Sequence, residues 1–359
     1  MAKRFKTMKK GLEEPRPGNR GRSITMQSVI ERPKPHLGEN IIYGLLILLL
    51  MSGTYWRNRV WSSELELWTD CVKKSPNKDR PHNNLGKAFL DQDKYQEAVP
   101  HLHEALRINP NNADAHNNLG NVFLNQGKYQ EATDQYTEAL RINPNNAEVH
   151  NNLGNAFLHQ GKYHEAINQY DEALRIYPDL AGAYYNLGNV FLNQGKYQEA
   201  ISQLNDALRI NPNFAEAHNN LAKALLDQGK YQEAISQLND ALRINPNFAE
   251  AHNNLGNAFL HQAKYQEAIS QLDEALRINP NFAEAHNNLG NTFFYQGKYQ
   301  EAINQYNQAL RINPNFAEAH NNLGKAYLVI GNRGLALKEY EILKTINPGL
   351  ATALYQKIK

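Results

Sequence analysis

The stretch from Ala283 to Phe316, AEAHNNLGNTFFYQGKYQEAINQYNQALRINPNF, decides the fold, because near copies of it fill most of the 359-residue chain. Prolines mark the period: Pro76, Pro110, Pro144, Pro178, Pro212, Pro246, Pro280, Pro314 and Pro348 follow one another every 34 residues. An unbroken period of this length specifies a stack of repeats rather than one globular core.

Within the unit, Ala285, Leu289, Thr292 and Phe293 fall at spacings that share one side of a helix. Gly297 then tolerates a positive φ and ends that helix. Tyr299, Ala302, Ile303, Tyr306, Ala309, Leu310 and Ile312 form the apolar stripe of a second helix, which Asn313-Pro314 stops. Each unit is a helical hairpin. Gly290, Ala302 and Ala309 permit close approach, and Leu289, Phe293 and Tyr306 fill the space between helices. One hairpin cannot bury both stripes, so it needs neighbours.

The pattern Leu289, Gly290, Phe293, Ala302, Tyr306, Ala309 and Pro314 resembles the tetratricopeptide repeat. The resemblance covers residues 79 to 350 in eight units, opening at Asp79, Ala113, Ala147, Ala181, Ala215, Ala249, Ala283 and Ala317. It implies an all-α fold, a superhelical α-solenoid of tandem hairpins. Where the family commonly places a large aromatic, this chain has His82, His116, His150, Tyr184, His218, His252, His286 and His320. Ala222 replaces a helix-packing glycine, and Asp93 and Ala263 replace turn glycines. The change at Ala263 is expected to cost about 1 kcal/mol if its φ is positive.

The formal charge of +2 conceals an asymmetry: residues 1–40 hold ten Lys or Arg against four Glu, leaving the rest net acidic. The repeats carry no basic stripe of the kind a nucleic-acid reader needs, so no nucleic-acid partner is expected. The low hydrophobicity and scattered Pro and Gly of residues 1–40 predict a disordered tail. Residues 41–60 read as an N-terminal transmembrane helix and its flank. Ile41 to Trp56 is uncharged, with Tyr43, Tyr55 and Trp56 near its ends. It rises ~24 Å against a ~30 Å hydrocarbon core, which aromatic ends and snorkelling flanks extend. The basic flank predicts a single-pass topology with a cytoplasmic N-terminus and exported repeats, the alternative being a cytoplasmic protein. A buried first helix of a ninth repeat and a cleaved signal peptide are the competing readings of the segment.

Residues 61–78 read as a half-repeat in register with the second helices. Trp61, Trp68 and Cys71 stand where Tyr299, Tyr306 and Ala309 do, which makes Cys71 a small packing residue. As the sole cysteine it cannot form an intramolecular disulfide. Arg57, Asn58, Trp61, Leu67 and Trp68 are similar to the junction after the last membrane helix in transmembrane and tetratricopeptide-repeat proteins, a family linked to O-mannosylation. That likeness spans some twenty residues and implies chemistry in a membrane part this chain lacks. Residues 351–359 read as a C-terminal capping helix.

For function, the informative feature is a polar stripe beside the packing stripe of each first helix. Its constant member is Asn84, Asn118, Asn152, Asn186, Asn220, Asn254, Asn288 and Asn322. In the tetratricopeptide family this helix lines the concave groove, which places Asn121, Asn155, Asn189, Asn257, Asn287 and Asn291 there too. A side-chain amide both donates and accepts, so it holds a peptide group without reading its side chain. Helices ~8–10 Å apart present one such Asn per ~3 residues of an extended ligand. The ladder resembles that of the O-GlcNAc transferase repeats, whose catalytic domain is absent here. The competing reading is that these Asn bridge neighbouring units.

The chain therefore reads as a membrane-anchored scaffold that binds an extended polypeptide or partner subunit. The alternative is an accessory or truncated part of a membrane glycosyltransferase, presenting acceptor proteins. Acidic residues such as Glu216, Glu250 and Glu284 in the stripe oppose a clamp for a terminal carboxylate. Histidines spaced one per hairpin stand too far apart to share a metal ion. No nucleotide, hydrolase or metalloprotease motif occurs, so neither catalysis, a cofactor nor a small-molecule substrate is expected.

Overall fold

The computed structural model describes residues 37–359, which form nineteen helices joined by turns. Most of the expected tail, residues 1–36, lies outside the described residues; its last four positions already belong to a helix. The chain divides into two compact units, Met1–Val60 and Trp61–Lys359.

The first unit contains α1, Leu37–Val60. Ile41, Ile42 and every residue from Leu45 to Met51 are between 49% and 69% exposed. Among the described residues no helix is long and apolar enough to cross a membrane. The expected span at Ile41 to Trp56 is therefore not supported, and neither is the export of the repeats that rested on it. The physical reason is length: the uncharged run stops short of a ~30 Å core, and Glu39 and Arg57 close it on either side.

The second unit opens with α2, Glu64–Lys74. Within the span read as a half-repeat, this helix starts three residues in, because the Ser63 side chain accepts from Glu66 N–H and sets the helix start there. Trp61 consequently precedes the helix rather than occupying the Tyr299 position. Eight hairpins follow, from α3 and α4 (Asp79–Leu90, Tyr95–Ile108) to α17 and α18 (Ala317–Val329, Arg333–Ile346). The last helix, α19, is Pro348–Ile358. It begins ahead of the predicted residue 351 because Asn347 caps Leu350 N–H and Pro348 takes the first-turn position, where its missing N–H costs nothing. Its Ala351, Leu354 and Ile358 are buried, completing the core of the final hairpin.

Turns within hairpins are closed by a residue in the left-handed region: six glycines, Gly297 at φ 78° among them, and two exceptions, Asp93 at 57° and Ala263 at 56°. Between the two helices, Gly120 faces the Tyr136 ring so closely that an added Cβ would lie 2.6 Å from Cε1, and Gly290 faces Tyr306 alike. Where the partner is leucine the fit is as tight, with 2.6 Å between a Cβ on Gly256 and Leu272 Cγ. Ala302, Tyr306, Ala309, Ala285, Leu289 and Thr292 are all buried, as the two stripes predict. First helices of successive units touch one another, whereas second helices do not, so the array curves with its first helices on the inside.

The repeated histidine ties a unit to the turn before it. His116 Nε2 lies 3.1 Å from the Pro110 carbonyl, and Nδ1 lies 2.8 Å from the Gln135 side-chain amide. A carbonyl only accepts, so Nε2 carries the proton toward Pro110, while Nδ1 faces the Gln135 side-chain oxygen. The same pair of contacts recurs at His150, His218, His252 and His286. The end units depart from it in opposite senses. In the first, His101 replaces the glutamine, with Nδ1 3.4 Å from His82 Nδ1. In the last, Glu339 replaces it, 2.6 Å from His320 Nδ1. Burial alone would lower the His320 pKa, but hydrogen bonds to Glu339 and Pro314 and the carboxylate charge raise it; burial and His82 lower that of His101.

Two outcomes follow for stability. Ala263→Gly should stabilise the sixth unit by about 1 kcal/mol by relieving its left-handed strain, whereas Gly120→Ala should destabilise the second by about 1–3 kcal/mol by pushing on the Tyr136 ring; thermal melting reads both. Because the folded pKa of His320 is raised, its stabilising effect is complete below its unfolded value and disappears as pH rises through the folded one. Amide hydrogen exchange of α18 should therefore show the last hairpin loosening between acidic and alkaline pH, and Glu339→Gln should remove that dependence.

Candidate functional site: an amide-lined inner groove

The polar stripe of the first helices lies on the inner side of the array, and its asparagines form two rows with different surroundings. The ladder residues direct their Nδ2 groups back to the preceding unit. Asn118 donates to Asn83 Oδ1 at 2.9 Å, Asn186 to Asn151 at 3.0 Å, Asn254 to Asn219 at 2.9 Å and Asn288 to Asn253 at 2.9 Å. Three ladder residues reach a second acceptor. Asn152 donates to Asn117 and Asn121, Asn322 to Asn287 and Asn291, and Asn220 to Asn189 and to the Tyr185 hydroxyl. Bridging between units is thus a structural fact, and the ladder donors are engaged by the protein itself. Asn84, in the first unit, accepts from Asn83 at 3.2 Å.

The second row sits three residues further along each helix. Its amides are oriented by buried tyrosines: Tyr136 Oη donates to Asn121 Oδ1 at 2.6 Å, Tyr170 to Asn155 at 2.7 Å and Tyr306 to Asn291 at 2.9 Å. Burial pushes these phenols well above their ordinary pKa, so they remain protonated donors. With Oδ1 committed inward, Nδ2 of Asn121, Asn155 and Asn291 faces the other way and has no hydrogen-bond partner among the described residues. Asn257 makes no side-chain hydrogen bond there either, and all four are half-buried.

The groove consequently offers an unpaired donor from one row beside an acceptor from the other: Asn121 Nδ2 next to Asn152 Oδ1, where Asn152 already holds Asn121 Oδ1 at 3.2 Å. A backbone peptide unit carries the complementary pair. Asn287, expected in the groove wall, is buried and serves instead as the interior acceptor for Asn322. Sequence reasoning missed the tyrosine hydroxyls. Their signal was present: a tyrosine fifteen residues after the groove asparagine, in a stripe that other units fill with leucine, carries a polar tip that needs a partner.

At the first hairpin the groove widens into a cleft of about 550 Å³ whose lining includes Asp79, Arg80, Asn83, Asn84 and Asp114. The amides of Asn109 and Asn112 donate to the Asp79 carboxylate at 2.9 and 3.0 Å. The Asn109 bond foremost holds the acid below its usual pKa, so it stays ionised.

Models of the TPR repeat match residues 86–127, 120–161, 154–195 and 290–331, and models of the tetratricopeptide repeat match 185–247, 219–282 and 272–304; together they run without a gap from 86 to 331. No curated protein matches the sequence. Among solved structures, one of the APC/C hetero-tetramer Cut9-Hcn1 superposes at TM-score 0.61 and 20% identity, over 82% of this chain and 59% of that one. The chain thus spans under two thirds of that protein's length. PilF of Pseudomonas aeruginosa aligns at TM-score 0.54 and 25% identity, over 61% of this chain and 97% of its own. A tetratricopeptide repeat protein of Parabacteroides merdae aligns at TM-score 0.54 and 20% identity, over 72% and 98%. The likeness at 20% identity is one of fold alone. Tetratricopeptide repeats mediate protein–protein interactions, and on its contiguous repeat matches, shared fold and helix-by-helix register this chain belongs to the tetratricopeptide-repeat family.

Proposed function

We propose that the solenoid is a scaffold that holds an extended polypeptide, free or as part of a partner subunit, by its backbone along the inner groove. The observation that carries this reading is the presence of unspent amide ends in both rows, donors from Asn121, Asn155, Asn257 and Asn291 and acceptors from Asn118, Asn152, Asn186 and Asn288. Interior bonds fix Asn121, Asn155, Asn291 and the ladder in place, so little side-chain entropy is lost there on binding. The ladder thereby has two tasks, bridging units through nitrogen and accepting ligand N–H groups through oxygen.

Replacing ladder residues would confound the two, because it strands buried acceptors such as Asn253. Changing Asn121, Asn155 and Asn291 together to Asp avoids this. The carboxylate still accepts from tyrosine and from the ladder but cannot donate to a ligand carbonyl. The triple variant should retain its helicity and melting while losing about tenfold or more in affinity for peptides captured by the wild type from a random library. Unchanged capture would refute the backbone-clamp reading.

Membrane attachment belongs to the same proposal, as contact with lipid through Ile41 to Trp56. Its support is the exposure of apolar side chains all around α1, which in water leaves far more contiguous apolar surface than a soluble helix carries. The full chain should float with phosphatidylcholine–phosphatidylglycerol vesicles, and Leu46→Lys with Leu49→Lys should leave it at the bottom of the gradient. Flotation that survives both changes would exclude this helix as the anchor.

A further inference from the structure

We infer that the middle of the groove carries a side-chain subsite for a carboxylate, selecting polypeptides with a glutamate or aspartate at that register; the inference rests on the groove binding polypeptide. The outer edge of the stripe is acidic in six units, with Asp114, Glu148, Glu216, Glu250, Glu284 and Glu318 at equivalent positions, and carries Arg80 in the first. The fourth unit breaks the row, because Gly182 stands where those acids do and leaves open space. Further along the same helix is a cleft of about 440 Å³ lined by Leu158, His159, Asn189, Leu192, Asn193, Asn220 and Lys223, drawn from three successive units.

No carboxylate lines this cleft, and Lys223 and Asn189 are its donors. Lys223 occupies the position held by Asn121 or Asn155 elsewhere, is exposed, and has no ion-pair or hydrogen-bond partner among the described residues. Asn189 takes the Asn220 amide on its Oδ1 at 2.7 Å, so its own Nδ2 remains to donate. Leu158 and Leu192 supply an apolar wall against which the methylene stem of a glutamate packs while its oxygens meet Lys223 and Asn189. The other lysines at this position differ. Lys325 is half-buried, its pKa lowered by burial and then by Lys357, and Lys87 lies on the helix whose Asp79 lines the first cleft without lining that cleft itself.

The experiment is selection of random dodecapeptides on the immobilised full chain, alongside a Lys223→Glu variant, with sequencing of both bound pools. The wild type should enrich Glu or Asp about tenfold at one position, the worth of a charge-assisted hydrogen bond, and the variant should enrich Lys or Arg there instead. Pools enriched in peptides but identical in charge preference would overturn the subsite and leave the groove standing. Failure of either protein to enrich any peptide would overturn both. Melting of the variant at the wild-type temperature shows that a changed preference reflects the site, since Lys223 supports no contact within the fold.

Discussion

Everything in the repeat array depends on the closeness of the two helices of a hairpin, set where a glycine on the first meets a large side chain on the second. With Gly120 or Gly290 in place, the tyrosine ring lies flat against helix backbone and its hydroxyl emerges beside the inner stripe. The ring fills the hairpin core, and the hydroxyl orients an asparagine of the groove. Packing and binding chemistry therefore share one side chain. The fifth unit keeps the geometry with Ala222 and Leu238, both buried, at the expense of that hydroxyl.

Stacking does the rest. A hairpin leaves two apolar faces uncovered, and each neighbour covers one, so the ends need different solutions. At one end α2 contributes a half-hairpin, and at the other α19 closes the core with Leu354 and Ile358. The histidine contact follows the same logic. It is repeated through the interior, and is replaced at the two ends by a histidine pair and by an ion pair, which respond to pH in opposite directions.

Much of this was legible in the residues. The 34-residue period located every hairpin, and the glycine-bearing turns gave their midpoints, including the strained Ala263. What the period could not give was the direction of each amide. An asparagine repeated eight times reads equally as ligand contact or as inter-unit bridge, and only the hydrogen bonds to Asn83, Asn151, Asn219 and Asn253 show that nitrogen is spent on bridging. The ends were misjudged for local reasons. Ser63 delays one helix, Asn347 and Pro348 advance another, and composition alone made a crossing segment of a helix that is too short in its apolar run.

The central claim is that the donors of one asparagine row and the acceptors of the other meet a polypeptide backbone. Side-chain amide NMR of the full chain, titrated with a peptide enriched from the random library, tests it most directly. Saturation should shift and protect from exchange the Nδ2 protons of Asn121, Asn155, Asn257 and Asn291, while those of the ladder asparagines, already bound within the array, remain protected throughout. Saturation that leaves the first set unmoved would contradict the account.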